Sequence, residues 1–319
     1  MIASDAALTA TPAVSVNSDL VSVHVGAVEV LRARFADEEV PLWECRAPYL
    51  HPLRTLSGGV VTGHRPHDHR WHKGLTIAVP KLARLVDLGD LGDLGRADEP
   101  ASATNFWGGP SYVAGRGYVD LDDAGRIDTT SFDVLPDGTV TADLAWIAAD
   151  GIPVLGERRT FAVRDVDAEA GCWTLEFRSE LRVLGADAVE FASPTALGRD
   201  QAGYCGFFWR GPREFTGGRV LASTGAQGAE ALMGRRAEWL AYTGEFDDRD
   251  GFATLVFVVE AETPEWFVRD DEYPGVNPSL AFRRSRLLAP GERLDLGYRV
   301  VIADGAWSRE RIAGYLGAG

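Results

Sequence analysis

Hydrophobic and polar residues alternate along most of the chain in short segments. Alternation with a period of two places one face of a β-strand in a core and the other face in water. Residues that favour tight turns separate the segments, as at Pro136-Asp137-Gly138 and Asp150-Gly151. The clearest alternating segments are residues 20–26, 28–35, 139–147, 158–163, 173–184 and 293–302. The pattern predicts antiparallel strands joined by hairpins.

Two segments depart from simple alternation. Residues 252–259, FATLVFVV, are hydrophobic on both faces, which predicts a central strand covered on two sides. Near the C-terminus, Ser308 can cap a helix in which Ile312 and Leu316 share one face. Helical signals are otherwise scarce, so the predicted fold class is all-β: a large antiparallel β-sandwich with few short helices. We expect a single domain over residues 1–319, with residues 1–18 flexible.

Charge and cysteine usage narrow the classes of partner and compartment. The 32 Lys and Arg against 47 Asp and Glu give a net charge of −15, which argues against nucleic acid and anionic membrane surfaces as partners. The cysteines Cys45, Cys172 and Cys205 are widely spaced and are expected to be buried and reduced. With neither a secretory signal nor a membrane-spanning segment in the sequence, we expect a cytoplasmic protein, and a homodimer is the default oligomer.

Histidine is unevenly distributed, and this carries the first functional signal. Pro66 disfavours a helix, so the histidine segment (residues 62–75) is predicted to be a loop leading into a strand. In such a loop several imidazoles can converge, where they can transfer protons, bind divalent metals or hydrogen-bond hydroxyls. Asp68 can orient one of them by accepting the proton of its far ring nitrogen. Four of the six histidines fall in this segment, namely His64, His67, His69 and His72.

The spacing of the histidines leaves three interpretations open. A polar pocket lined by histidines without a metal is favoured. A divalent metal shared by His69 and His72 is the second interpretation, although no HExxH motif and no carboxylate at a set distance completes a metal triad. The third is a set of solvated histidines without function. No dinucleotide-binding or P-loop motif occurs, so no nucleotide cofactor is expected.

Aromatic and arginine side chains near these segments are candidates for substrate binding. Trp71 and Trp107 could pack against the C–H face of a sugar ring. Arg54 and Arg210 follow strand patterns and could present fixed donors to hydroxyls or to a carboxylate.

Several motifs lie along residues 40–315. They are PYLHPLRT at 48–55, DHRWHKGL at 68–75, NFWG at 105–108, GYCGFFWRGPREFTGG at 203–218, WFVR at 266–269 and VIADG at 301–305. Together these segments resemble the DUF6807 family, which carries the label "methane oxygenase PmoA".

The resemblance implies a supersandwich related in shape to galactose mutarotase, and a link to sugar catabolism. It also implies that Asp68, His69, His72 and Gly74 are the family positions of the histidine segment. His51, Lys73 and Asn105 lie in the matching motifs and join the substrate-binding candidates. His64 and His67 are additional in this chain.

Three functions are compatible with these residues. The first is an enzyme that acts on a carbohydrate or related polyol, with His69 or His72 transferring a proton and Asp68 orienting the imidazole. The second is an iron- or copper-dependent oxygenase, as the family label suggests, with His69, His72 and a third ligand, either His51 or a distant Glu. The third is a sugar-binding module without catalysis.

Overall fold

Two antiparallel sheets form the body of the protein, one of eleven strands and one of eight. These counts refer to residues 11–85, 103–260 and 262–317, which the computed structural model describes. The all-β sandwich predicted from alternation is confirmed, and short helices are few.

The strands in chain order are β1 (Ala13–Asn17), β2 (Leu20–Val25), β3 (Val28–Arg34), β4 (Tyr49–Leu53), β5 (Leu75–Leu85), β6 (Ala103–Phe106), β7 (Ser111–Val113), β8 (Gly117–Val119), β9 (Arg126–Val134), β10 (Val140–Ile147), β11 (Pro153–Asp167), β12 (Cys172–Val183), β13 (Ala188–Ala192), β14 (Gly206–Arg210), β15 (Arg219–Ala222), β16 (Trp239–Glu245), β17 (Phe252–Val259), β18 (Glu265–Arg269), β19 (Gly275–Ser279), β20 (Arg286–Leu288) and β21 (Arg293–Asp304). The helices are α1 (Ala229–Leu232) and α2 (Arg309–Gly317), and 3₁₀ turns cover Leu42–Glu44 and Arg213–Phe215.

Strand order differs from chain order in both large sheets. The eleven-stranded sheet runs β1-β2-β3-β4-β5-β14-β19-β18, and β6 and β13 also pair with β5, while β20 pairs with β13. The eight-stranded sheet runs β15-β16-β17-β21-β12-β11-β10-β9. Strands β7 and β8 form a separate hairpin. Strand β5 is therefore the junction at which several segments of the chain meet.

The hydrophobic core lies between the two large sheets. On β12, Trp173, Leu175 and Phe177 are fully buried in it, as alternation predicts. From the facing sheet, β14 contributes Phe207 and Trp209. Burying an apolar side chain of this size contributes about 1.5–3 kcal/mol. The other residues of β14 face away from the core, and that outer face carries the site described below.

Strand β17 is central, as its two hydrophobic faces predict. It pairs with β16 on one side and with β21 on the other. Leu255 and Phe257 belong to the main core. Val256, on the opposite face, packs in a smaller cluster with Trp307 and Ile312.

Helix α2 covers this smaller cluster and begins where the sequence predicts. The hydroxyl of Ser308 accepts a hydrogen bond from the backbone N–H of Arg311 at 3.2 Å, which is the geometry of an N-cap. Ile312 is buried in the cluster and Leu316 packs against it. The predicted helix and its apolar face are confirmed.

The prediction that residues 1–18 are flexible is wrong for residues 13–17, and residues 1–10 lie outside the described residues. Strand β1 occupies residues 13–17 and pairs with β2 along its whole length, from Ala13 opposite His24 to Asn17 opposite Leu20. Most of β1 is exposed. It is therefore held by backbone hydrogen bonds to β2 across a tight turn, a contribution that burial-based patterns do not reveal.

The thiols are in the state that the sequence predicts. Cys45, Cys172 and Cys205 are all free and buried. Burial raises the pKa of the Cys45 thiol to about 11 and also raises the pKa of Cys205, so both stay protonated at neutral pH. Among the described residues, no helix has the length and apolar character needed to cross a bilayer.

Candidate functional site

The outer face of the eleven-stranded sheet forms the floor of the candidate site. Because side chains alternate along β14, Phe208 and Arg210 lie opposite its core-facing residues. Phe208 packs there against Ala78 of β5. Alternation along β18 likewise places Phe267 and Arg269 on this face. The sheet thus presents two aromatic rings and two guanidinium groups on the side away from the core.

A cleft of ≈ 240 Å³ opens above this floor. Ligand pockets usually measure about 300–1,000 Å³, so this one suits a compact ligand such as a single sugar ring. Its walls are mostly aromatic, with imidazole, guanidinium and carboxylate groups among them. The lining residues are His69, Trp71, His72, Trp107, Gly108, Pro110, Tyr118, Arg199, Tyr204, Phe267, Arg269, Glu272 and Tyr273.

The cleft differs from a wider surface groove elsewhere on the protein. That groove, of ≈ 410 Å³, lies beside the start of α2. In the described part of the chain, none of the residues lining the groove has a buried polar atom without a hydrogen-bond partner. The cleft has such an atom in His72 Nδ1. Unpaired buried polar groups often mark sites that a ligand completes.

The histidine segment reaches the cleft through consecutive turns, as Pro66 predicts. The backbone N–H of His69 donates to the carbonyl of Pro66 at 3.1 Å, and that of His72 donates to the carbonyl of His69 at 2.9 Å. These turns stack the two imidazoles with ring centroids 4.8 Å apart. Gly74 follows with φ +58°, and a Cβ there would lie 2.2 Å from the carbonyl oxygen of Leu50. Only glycine lets the chain enter β5 at this point.

Asp68 holds His69 in a fixed orientation. His69 Nδ1 lies 2.9 Å from Asp68 Oδ2, and Arg213 donates a hydrogen bond to the other carboxylate oxygen. Partial burial opposes ionisation of Asp68, but the hydrogen bond to His69 and the nearby guanidinium hold its pKa below the usual value. His67 Nδ1 also lies 3.1 Å from Arg213 Nη2. The described residues offer no hydrogen-bond partner to His69 Nε2, which is left for a ligand.

His72 is the more deeply buried of the stacked pair. Its ring is surrounded by Phe208, Tyr273 and Trp107, with centroids 4.9, 5.1 and 5.9 Å away. Burial, reinforced by the positive charge of Arg210, lowers its pKa well below the usual value. His72 is therefore a neutral imidazole at neutral pH.

Trp107 is held in the wall by Asn105. The side-chain oxygen of Asn105 accepts hydrogen bonds from the backbone N–H groups of Trp107 and Gly108 at 2.8 and 2.9 Å. Its amide nitrogen donates to the carbonyl of Gly109 and to the hydroxyl of Ser111. The sequence predicts that Asn105 binds substrate, but its side-chain amide instead forms hydrogen bonds that hold the turn presenting Trp107.

Trp71 forms the neighbouring part of the wall. Its ring packs on the backbone of Gly109, where a Cβ would lie 2.6 Å from ring atoms. On its outer side the exposed Trp43 meets it edge-on, with ring centroids 6.1 Å apart. Both tryptophans that the sequence singles out, Trp71 and Trp107, therefore line the cleft.

Arg210 lies beside the cleft without lining it. Its guanidinium carbon is 4.6 Å from the ring centroid of Tyr273, which does line the cleft. The side chain is buried, and its Nε and Nη1 have no hydrogen-bond partner among the described residues. Burial lowers the pKa of Arg210 to about 10.

Lys73 lies outside the cleft lining although it follows His72 in sequence. Its buried ammonium group donates to the backbone carbonyls of Glu44 and Cys45 at 2.6 and 2.8 Å. Burial lowers the pKa of Lys73 to about 8. The ammonium anchors the 3₁₀ turn that ends at Glu44, a structural use of a residue predicted to bind substrate.

His51 and Arg54 belong to a second group of residues. The ring of His51 stacks on that of His64 with centroids 4.9 Å apart, and its Nδ1 lies 2.9 Å from the Thr62 hydroxyl. Arg54 forms an ion pair with Glu29 at 2.9 Å. None of these side chains lines the cleft. Of the predicted catalytic and binding residues, the cleft therefore gathers His69, His72, Trp71 and Trp107, with Asp68 and Arg210 beside it.

Several lining residues are absent from the sequence-based candidates. Tyr118, on the β7–β8 hairpin, lies 2.7 Å from the Tyr204 hydroxyl. The guanidinium of Arg199 stacks on the Tyr118 ring at 4.6 Å. Alternation within the FWRG and WFVR motifs could have placed the strand residues on one face. Nothing in the local pattern brings the hairpin and the loop carrying Arg199 to the same place.

The cluster does not fit a metal centre. Within the described ranges, no three or more His, Cys, Asp or Glu side chains are arranged to hold a metal ion. His69 and His72 stack face to face, with ring centroids 4.8 Å apart. Of the third ligands considered from sequence, His51 stacks with His64 outside the cleft, and no Glu completes a group of three among the described residues.

Comparison with known proteins supports the motif resemblance. The model of DUF6807, described as a family of unknown function, matches residues 20–317. The chain belongs to the DUF6807 family. This match begins earlier than the quoted motifs, and its description names no activity, so the oxygenase label has no support here. No curated protein matches the chain.

Among solved structures, the DUF6807 chain is similar at low identity to three larger proteins. The first is a GH36 α-galactosidase from Geobacillus stearothermophilus in complex with raffinose, with 12% identity, a TM-score of 0.30, and coverage of 60% of this chain and 29% of that one. The second is the galactosidase domain of the α-galactosidase-sucrose kinase AgaSK, with 11% identity, a TM-score of 0.38, and coverage of 92% and 42%. The third is a TPR-domain containing protein from Parabacteroides distasonis, with 14% identity, a TM-score of 0.35, and coverage of 91% and 48%. The chain spans less than half the length of each.

Proposed function

We propose that the cleft is the active site of an enzyme that acts on a carbohydrate or related polyol by acid–base chemistry. The observation that carries this proposal is the position of His69. Its imidazole lines an aromatic-walled cleft, its Nδ1 is hydrogen-bonded to Asp68, and its Nε2 is free to meet a ligand. A histidine oriented by a carboxylate is a common arrangement for proton transfer near neutral pH.

In this proposal His69 exchanges a proton with a hydroxyl or an activated carbon of the bound sugar. Asp68 fixes the ring orientation and stabilises the imidazolium when His69 carries the proton. Neutral His72, which also lines the cleft, offers a hydrogen bond to the ligand without adding charge, because burial keeps it unprotonated. Trp107 and Trp71 provide flat apolar walls for the C–H faces of a sugar ring.

The same walls would also serve a sugar-binding module without catalysis. The two functions differ in turnover and not in binding, so one experiment separates them. A metal-dependent oxygenase is disfavoured by the donor set, since the stacked imidazoles share no third ligand among the described residues.

The test is a sugar panel of hexoses, pentoses, aldonates, uronates and their simple glycosides. Thermal-shift measurements identify ligands, and chromatography or NMR of incubated mixtures detects product. We expect at least one sugar to bind saturably and to be converted, with H69Q lowering turnover by about 100-fold or more.

The control for this test is H24Q. His24 lies on β2, at the far end of the same sheet from the cleft. We expect H24Q to keep full turnover. Saturable binding with no product would favour the binding module, whereas equal turnover in H69Q and wild type would remove His69 from the mechanism.

A further inference from the structure

Arg210 is a buried cation that forms no ion pair with any residue the structure describes. The residue is 1% exposed, and its Nε and Nη1 find no partner in the described part of the chain. Its guanidinium carbon lies over the π face of Tyr273, 4.6 Å from the ring centroid. Removing a guanidinium from water costs several kcal/mol unless a partner compensates for it. The positive charge of Arg210 is therefore buried without a partner, among the described residues, that compensates for its loss of hydration.

Two other buried cations, Arg159 and Lys73, have hydrogen-bond partners for their charged groups. Arg159 is 3% exposed, and its guanidinium pairs with Glu157 at 2.7 Å and also donates to the carbonyl of Pro48. The ammonium of Lys73 has its backbone carbonyls. The sequence is thus able to supply partners to buried cations, whereas Arg210, beside the cleft, keeps two guanidinium nitrogens without a hydrogen-bond partner in the described part of the chain.

Within the described ranges, no carboxylate forms an ion pair with the guanidinium of Arg210. Asp68, a nearby carboxylate, is engaged by His69 and Arg213. At the cleft itself, Arg199 and Arg269 both contribute guanidinium groups. The lining carboxylate, Glu272, is 3.9 Å from Arg269 and mostly exposed to solvent.

This arrangement gives the region a charge opposite to that of the whole protein. The chain has a net charge of −15, yet its cleft gathers arginines. A cleft with low-dielectric aromatic walls concentrates such a local field and attracts ligands of the opposite sign.

We infer that the ligand of the cleft is an anionic sugar, carrying a carboxylate or a phosphate group, and that Arg210 is the counter-charge of that group. This inference rests on the proposed function and adds the class of substrate. The ring of Tyr273 lines the cleft and also covers the guanidinium of Arg210, so it separates Arg210 from the cleft. Binding therefore requires the Tyr273 ring to move aside so that the acidic group can approach Arg210.

The experiment measures dissociation constants of wild type and R210M by calorimetry. The ligands are galacturonate, glucuronate, gluconate, galactonate and a hexose 6-phosphate, each compared with its neutral parent sugar. We expect one class of acidic sugar to bind wild type at least about 30-fold more tightly than its parent, equivalent to about 2 kcal/mol. R210M should lose this preference, and the class that binds distinguishes carboxylate from phosphate.

A second readout separates binding from structural support. Because R210M removes an uncompensated buried charge and keeps much of the side-chain volume, we expect its ligand-free melting temperature to equal or exceed that of wild type. The matched control is R32M, which removes an arginine of the same sheet that is bonded to Glu29. R32M should keep the preference for acidic sugars.

Each alternative result has a definite meaning. Equal binding of neutral and acidic sugars to wild type would overturn the inference and leave the proposed function standing. An unchanged acidic preference in R210M would remove Arg210 as the counter-charge. Failure of every sugar to bind would contradict both the inference and the proposed function.

Discussion

Two stacked histidine pairs lie near each other in sequence but in different surroundings. The cleft pair is His69 and His72, with ring centroids 4.8 Å apart, and the inner pair is His51 and His64, at 4.9 Å. His69 lines the cleft, with a carboxylate on Nδ1 and no hydrogen-bond partner for Nε2 among the described residues. The inner pair packs against Tyr49 and Thr62, and neither of its rings lines the cleft.

The difference shows that proximity of imidazoles is not enough to make a site. In the inner pair, burial lowers the pKa of His51 to about 3 and that of His64 to about 4. Both rings are therefore neutral packing elements at neutral pH, with little capacity to exchange protons there. What distinguishes the cleft pair is access to a ligand together with an orienting charge.

The largest expected contrast between the pairs is in turnover. We predict that H69Q lowers kcat by about 100-fold or more because it removes the proton-transfer group. H51Q should instead leave kcat near wild type and cost about 1 kcal/mol of stability, since it disturbs the hydrogen bond to Thr62. Steady-state kinetics and chemical unfolding of the two variants give both numbers. An equal fall of kcat in H69Q and H51Q would contradict the prediction that only the cleft pair takes part in turnover.

A smaller effect is expected from the residue that positions His69. We predict that D68N lowers kcat about ten-fold, since an amide can still hold the ring but does not stabilise an imidazolium. The accompanying readout is KM, which should stay close to the wild-type value because Asp68 does not line the cleft. A reduced kcat accompanied by an equally large loss of folding stability would mean that Asp68 acts on the fold alone.

The smallest effect concerns the pH dependence of stability. The folded pKa of His64, about 4, lies below its ordinary value of 6.5. Between these values the unfolded chain binds more protons, so acidification from about pH 6.5 to about pH 4 destabilises the fold. H64Q should make the free energy of unfolding less dependent on pH over this interval. Urea titrations at several pH values test this, and an identical slope in wild type and H64Q would contradict the burial argument.

The fold could be predicted because alternation is a local property of the sequence. Strands such as β2, β10 and β17 follow directly from it, and Ser308 marks the start of α2. Strand β1 shows where the approach fails. Its pairing with β2 depends on backbone hydrogen bonds, and its exposed side chains carry no burial signal.

Only those contacts of the site that join residues close together in the sequence could be predicted. Asp68 and His69 are adjacent, so their hydrogen bond could be anticipated. Lys73 follows His72 directly in sequence, yet the two side chains have different roles. His72 lines the cleft, whereas Lys73 anchors the 3₁₀ turn that ends at Glu44. Tyr118 and Arg199 come from separate loops that only the tertiary fold brings together. Local patterns hold no information about such loop positions.

The most direct test of the active-site assignment is a crystal structure with the sugar that binds most tightly. We predict a sugar ring packed against Trp107, with a polar group at hydrogen-bond distance from His69 Nε2. Its acidic group should meet Arg210, with the Tyr273 ring displaced. A sugar bound in the groove beside α2, or one that leaves His69 and Arg210 without contacts, would contradict the account.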